Sequence, residues 1–246
     1  MSFKQQKPQA ESPQPPDGFP RERRFIFVQL LFSLTAAEIA RVASELFQVG
    51  ANWSALPAWV HILLATAVVV TSWVGWSVSE SSLRVRVNSV FSFPFLVLLI
   101  DVLLVVLYFN LVRGAEVPKA NLPATPSAKI ECDMIATIFF VYFLWDFLTK
   151  AVLGGQSSDS LAAVLGRLRG SDYWRRSWQS VVCFSCGLLA WVFLRGTSGL
   201  SSVLLLDFAL ICLVLFFRAS KEGRFAFSRF FAIAFVVLGV AAWLTR

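Results

Sequence analysis

Glu38, Arg41 and Glu45 stand three and four residues apart in SLTAAEIARVASELF, inside a stretch otherwise apolar enough to cross a lipid bilayer. On a helix this spacing places all three on one face, so they form a stripe of two acids and one base that must face protein or water rather than lipid. Asp101 in FLVLLIDVLLVV, Asp146 in VYFLWDFLTK and Asp207 in VLLLDFALIC are further carboxylates set in apolar runs. An ionisable group near the bilayer centre costs at least ~2.5–3.5 kcal/mol, so each is a candidate for function.

At ~1.5 Å per residue along an untilted helix, Asp146 lies ~11 Å, Asp101 ~16 Å and Glu38 ~20 Å from the inner end, while Asp207 lies ~10 Å from the outer one. Two readings follow. In the structural one, Arg41 pairs with Glu38, Glu45 or Asp207, Asp146 pairs with Lys150 one turn on, and only Asp101 lacks a role. In the functional one, Asp146, Asp101 and Glu38 form an acidic ladder, with Arg41, Asp207 and His61 at its outer mouth. Four deep acids share this region with one base, and a surplus carboxylate must be protonated, hydrated or cation-bound. Each of those states suits a path for protons or small cations, and Asp101, with no basic residue within four positions on either side, is its best single member.

Other motifs carry less. GTSGLSS, residues 196–202, contains the Gly-x-Ser-Gly string of rhomboid-type intramembrane proteases, but the single histidine, His61, lies upstream rather than in a later helix. Serine without an adjacent base is a poor nucleophile, so a Gly/Ser turn between helices is the expectation there. Cys183 and Cys186 have redox spacing but fall inside a span, and the four cysteines give no disulfide framework or metal cluster. One histidine likewise argues against zinc or haem chemistry. No complete catalytic set, cofactor or metal is expected.

These residues must be positioned by membrane helices. The chain has 246 residues, 57% of them hydrophobic and only 15% charged, with a mean hydropathy of +0.68. Seven runs approach the ~20 residues needed to cross a ~30 Å hydrocarbon core: Phe25–Phe47, Ala58–Val78, Val90–Val112, Met134–Leu153, Trp178–Leu194, Leu200–Phe217 and Phe225–Leu244. None alternates as a β-barrel strand would. The expected fold is an all-α integral membrane protein, a polytopic bundle of about seven transmembrane helices. Residues 1–20 hold five of the ten prolines and read as a disordered cytoplasmic tail, and residues 21–246 as one transmembrane domain.

Alternation through seven spans puts sixteen of the 22 Lys and Arg residues on the side of the N-terminus. By the positive-inside tendency that side is cytoplasmic and the C-terminus is outside. The orientation is opposite to that of G-protein-coupled receptors and microbial rhodopsins, and the last span has no lysine for a retinal Schiff base. The net charge of +7 then belongs to a basic cytoplasmic face near anionic lipid rather than to nucleic-acid binding. The functional expectation is a small-cation or proton channel or transporter in the cell membrane. The alternative is a non-catalytic anchor, assembly or sensing subunit, acting through a partner protein or a second copy of the chain by way of its Pro-rich tail and basic loops.

Overall fold

The computed structural model describes residues 21–49, 55–82, 90–91, 93–114, 127–153 and 171–246; the Pro-rich tail lies outside them. The described residues form seven α-helices: α1 Arg21–Val49, α2 Leu56–Ser82, α3 Phe93–Arg113, α4 Ala128–Leu153, α5 Ser171–Leu194, α6 Leu200–Lys221 and α7 Phe225–Leu244. All but α5 contain an apolar stretch long enough to cross a membrane, and the apolar part of α5, Trp178–Leu194, is shorter. An apolar run of this length satisfies its backbone N–H and C=O groups internally only as a helix, which is why such runs become helices in lipid.

Side-chain contacts set the direction of every helix. Phe32 of α1 meets both Trp76 of α2 and Tyr108 of α3, while Phe47 meets Trp59, so α2 runs against α1 and α3 runs with it. Asp101 meets Trp145, and His61 reaches both Leu111 and Glu131, so α4 runs against α3. Ser180 meets Asp146 and Trp191 meets Asp133, which lays α5 antiparallel along α4. Ser220 pairs with Ser228, and Ser202 donates to the Thr245 carbonyl, so α6 and α7 form a hairpin. Each helix therefore reverses the one before it, and α2, α4 and α6 run parallel through the core. Below, the near end is where α2, α4 and α6 finish and the far end is where they begin.

The α6–α7 corner shows how sequence sets such a reversal. Gly223 has φ 71°, Arg224 N–H donates to Ala219 O and Gly223 N–H to Ser220 O. This is a Schellman stop, which calls for a left-handed residue after the helix, and glycine adopts it without a Cβ penalty.

The core is a single apolar cluster drawn from α1 to α7 and includes Leu64, Val68, Leu104, Ile135, Leu210 and Leu213. Outward faces of α1, α5 and α7 instead display large apolar side chains such as Leu30, Leu34, Leu189, Phe193, Ile233 and Val237. Apolar surface of that extent matches lipid rather than water, and the chain is a multi-pass α-helical membrane protein.

Candidate functional site

The six charged residues singled out in the sequence separate into three places. Glu38, Arg41 and Glu45 do share one face of α1. The Arg41 guanidinium donates to Glu38 at 2.8–2.9 Å and to Glu45. They do not turn into the bundle, however, since the Arg41 side chain is 50% and that of Glu45 41% exposed. Glu38, at 12%, also lies 3.7 Å from Arg113, the last residue of α3. The stripe is an edge between α1 and α3 at the far end. It stays at the surface because Arg41 satisfies both acids within α1, and burying the three charged groups would cost their hydration. Glu38 is thus set apart from the other two members of the ladder, and Asp207 does not pair with Arg41.

Asp101 and Asp146 do come together. Both line a cavity of about 330 Å³ in the near half of the bundle, enclosed by α2, α3, α4 and α6, with Phe32 of α1 on its wall. Asp101 accepts a 2.6 Å hydrogen bond from the Trp145 indole. Asp146 accepts 2.8 Å bonds from Ser180 and from the Lys221 ammonium. Lys150, its expected partner, has a side chain outside the described set. Arg218, Lys221 and Glu222 form the charged near end of the cavity, with Arg218 bound to Glu222 at 2.6 Å. A Cβ on Gly75 would lie 2.7 Å from Arg218 Nη1, so the glycine makes room for that guanidinium against α2. The hydroxyls of Ser72, Tyr108 and Tyr142 meet in the interior, and the rings of Phe139, Phe217 and Tyr142 pack edge to face along the wall.

The third place is a buried polar cluster at the far end. His61 of α2 is fully buried; its Nδ1 lies 2.6 Å from Glu131 Oε1 of α4, and its Nε2 lies 2.8 Å from the Leu111 carbonyl of α3. Asp207 of α6, also fully buried, interacts with both Glu131 and His61. His61, Glu131 and Asp207 are each followed eleven residues later by a residue of the cavity region: Ser72, Tyr142 and Arg218. Three parallel helices in register therefore present two polar layers ~16 Å apart at ~1.5 Å per residue. Leu64, Leu210 and Leu213, all essentially without exposure, fall between these positions along α2 and α6.

Glu131 escaped the sequence reading because it falls three residues before Met134, where the uninterrupted apolar run begins. The helix starts earlier, at Ala128. Lys221 follows the apolar run Leu200–Phe217 in the basic stretch RASKEGRF, which carries no sign of a partner. In space it ends α6 and turns back to Asp146.

The lesser motifs have structural places. Gly196–Ser202 contains the turn from α5 to α6, with Gly199 at φ 98° preceding the new helix. Both ring nitrogens of His61 are engaged elsewhere. Cys183 and Cys186 are unpaired thiols within α5. Among the described residues no group of three or more His, Cys, Asp or Glu side chains is arranged to hold a metal ion. No family model, curated protein or solved structure matches the chain.

Proposed function

We propose that this protein moves a proton or a small cation across the cell membrane, with Asp101 and Asp146 as the carboxylates of an intake cavity. The observation that carries this reading is their convergence. Two acids from different helices, in apolar runs where each is costly, line one cavity together with four hydroxyls, an indole donor, a lysine and the Arg218–Glu222 pair. A cavity of this size in hydrocarbon-spanning helices has room for water or a hydrated cation, and its carboxylates offset the loss of bulk hydration. With the N-terminus cytoplasmic, as the distribution of Lys and Arg has it, the cavity faces the cytoplasm and the far-end cluster the outside. In this reading the short α5 is also a crossing, which its contacts along α4 from Asp146 to Asp133 support.

The test is flux in proteoliposomes under imposed pH and cation gradients. Asp101→Asn should reduce flux strongly, while Glu38→Gln, at a site away from the cavity, should leave it near the parent level. No flux in the parent under any gradient would reject the reading.

A second reading, a subunit that assembles with a partner, draws on the surface stripe of α1. Charges half-exposed on a membrane helix suit an opposite charge pattern on another chain. Under that reading Arg41→Gln abolishes co-purification of a partner or of a second copy from native membranes, and a chain that purifies alone in either form counts against it.

A further inference from the structure

The far-end cluster poses a problem of proton counting. Both ring nitrogens of His61 lie at hydrogen-bond distance from groups that only accept, the Glu131 carboxylate at 2.6 Å and the Leu111 carbonyl at 2.8 Å. A neutral imidazole carries one N–H and donates one bond, and an ionised carboxylate donates none. The two contacts together therefore require two protons. The second sits either on the ring, opposite an ionised Glu131, or on the Glu131 carboxyl, which then donates to Nδ1. The same deficit recurs one link further. Glu131 Oε2 and both oxygens of Asp207 are buried with no hydrogen-bond partner among the described residues, and the two acids lie near enough to act on each other electrostatically.

Other charges among the described residues do not fill the gap. At the far end α1 contributes Glu38, Arg41 and Glu45, which pair among themselves, and Arg113 of α3 turns to Glu38. On α4, Lys129 is exposed, Cys132 is a buried thiol and Asp133 is bound to Trp191. From α5 and α7 come Arg195 and Arg246, which stack on Trp191 and Trp243. The metal alternative fails on geometry, because the three side chains do not converge as a ligand set.

We infer that His61, Glu131 and Asp207 form an occluded proton-binding site, a chain in which one proton bridges His61 to Glu131 and another bridges Glu131 to Asp207. Loading adds one H⁺ between the two carboxyls and unloading removes it, with no covalent or redox change. Leu64, Leu210 and Leu213 fall between the site and the cavity that holds Asp101 and Asp146. Gly114, whose Cβ would lie 3.5 Å from His61 Nε2, caps it at the far end. This deepens the transport reading and rests on it for one clause only, that the stored proton is the one moved; the site itself rests on the His61 hydrogen-bond geometry and on the burial of the unpaired oxygens of Glu131 and Asp207.

Because His61 is the only histidine, labelling the whole protein with ¹⁵N-histidine gives one imidazole to observe. In lipid nanodiscs at neutral pH, both ring nitrogens should resonate as protonated or strongly hydrogen-bonded, and a nitrogen with the signature of a free imine would overturn the proton bridge to Glu131. Infrared spectra should contain a carboxylic C=O band that shifts in ²H₂O, is lost in Asp207→Asn and survives in Asp101→Asn. A spectrum that Asp207→Asn leaves unchanged would overturn the second bridge. Should Asp207→Asn fail to fold, Glu131→Gln and the parent histidine spectrum decide. Flux separates the two claims: the bands without parental flux reject transport and leave the site standing, whereas full flux in a folded Asp207→Asn protein removes the site from the path.

Discussion

Asp146 and Lys221 are 75 positions apart and meet at 2.8 Å on the wall of the cavity. Asp146 is nearly buried, so removing its ammonium partner leaves a charge with reduced compensation rather than merely losing one contact. Lys221→Gln should lower stability by about 1.5–3 kcal/mol, the range for hydrogen bonds to charged groups. The double variant with Asp146→Asn should recover part of that loss, as thermal unfolding of the purified protein in detergent would measure. Non-additivity is the diagnostic, since independent sites would simply sum. Trp145→Phe tests the other acid. It keeps the aromatic packing but removes the indole donor to Asp101, and a loss of about 1–3 kcal/mol is expected for a buried carboxylate that loses a hydrogen bond.

At the level of elements, the site depends on how closely the helices approach. A Cβ on Gly187 of α5 would lie 3.4 Å from Phe139 Cδ2 and 3.7 Å from Ala136 Cα of α4, so alanine fits there and a larger side chain does not. Small residues of this kind let membrane helices pack closely. Gly187→Ala should be close to neutral, while Gly187→Leu should cost about 1–3 kcal/mol as an overpacked contact. The larger substitution should also weaken the Ser180–Asp146 bond, seen as a drop in Tm that Ser180→Ala no longer adds to. At the α6–α7 corner, Gly223→Ala should destabilise by roughly 1–2 kcal/mol, because a Cβ penalises the left-handed backbone. That loss would appear in the same unfolding assay.

On the scale of the whole molecule, seven alternating helices put the start of α1 and the finish of α7 at opposite ends of the bundle. The number of crossings therefore turns on α5. In a background lacking the four native cysteines, single cysteines introduced at Ser2 and Thr245 should react with a membrane-impermeant thiol reagent from opposite sides of sealed vesicles. Labelling from the same side would make α5 a segment that does not cross. The cavity and the proton cluster occupy opposite halves of this bundle, and the arrangement is symmetric in neither charge nor access. An orientation assay of this kind therefore also says which compartment the cavity faces.

Composition and the lengths of apolar runs were enough to establish a helical membrane protein, because the cost of unsatisfied backbone in lipid permits few alternatives to helices. The helical period was enough to put Glu38, Arg41 and Glu45 on one face, because 3.6 residues per turn is local geometry. Which way that face points was decided by packing: Arg41 bonds both neighbours within α1 and Arg113 of α3 comes up to Glu38, so the stripe rests at the surface instead of lining a path. Partnership across the bundle was likewise invisible in one dimension. Nothing local joins His61 to Glu131, 70 positions away, or Asp146 to Lys221. Those pairs exist because α2, α4 and α6 run parallel in register, an arrangement fixed by the fit of many side chains at once rather than by any stretch of sequence alone.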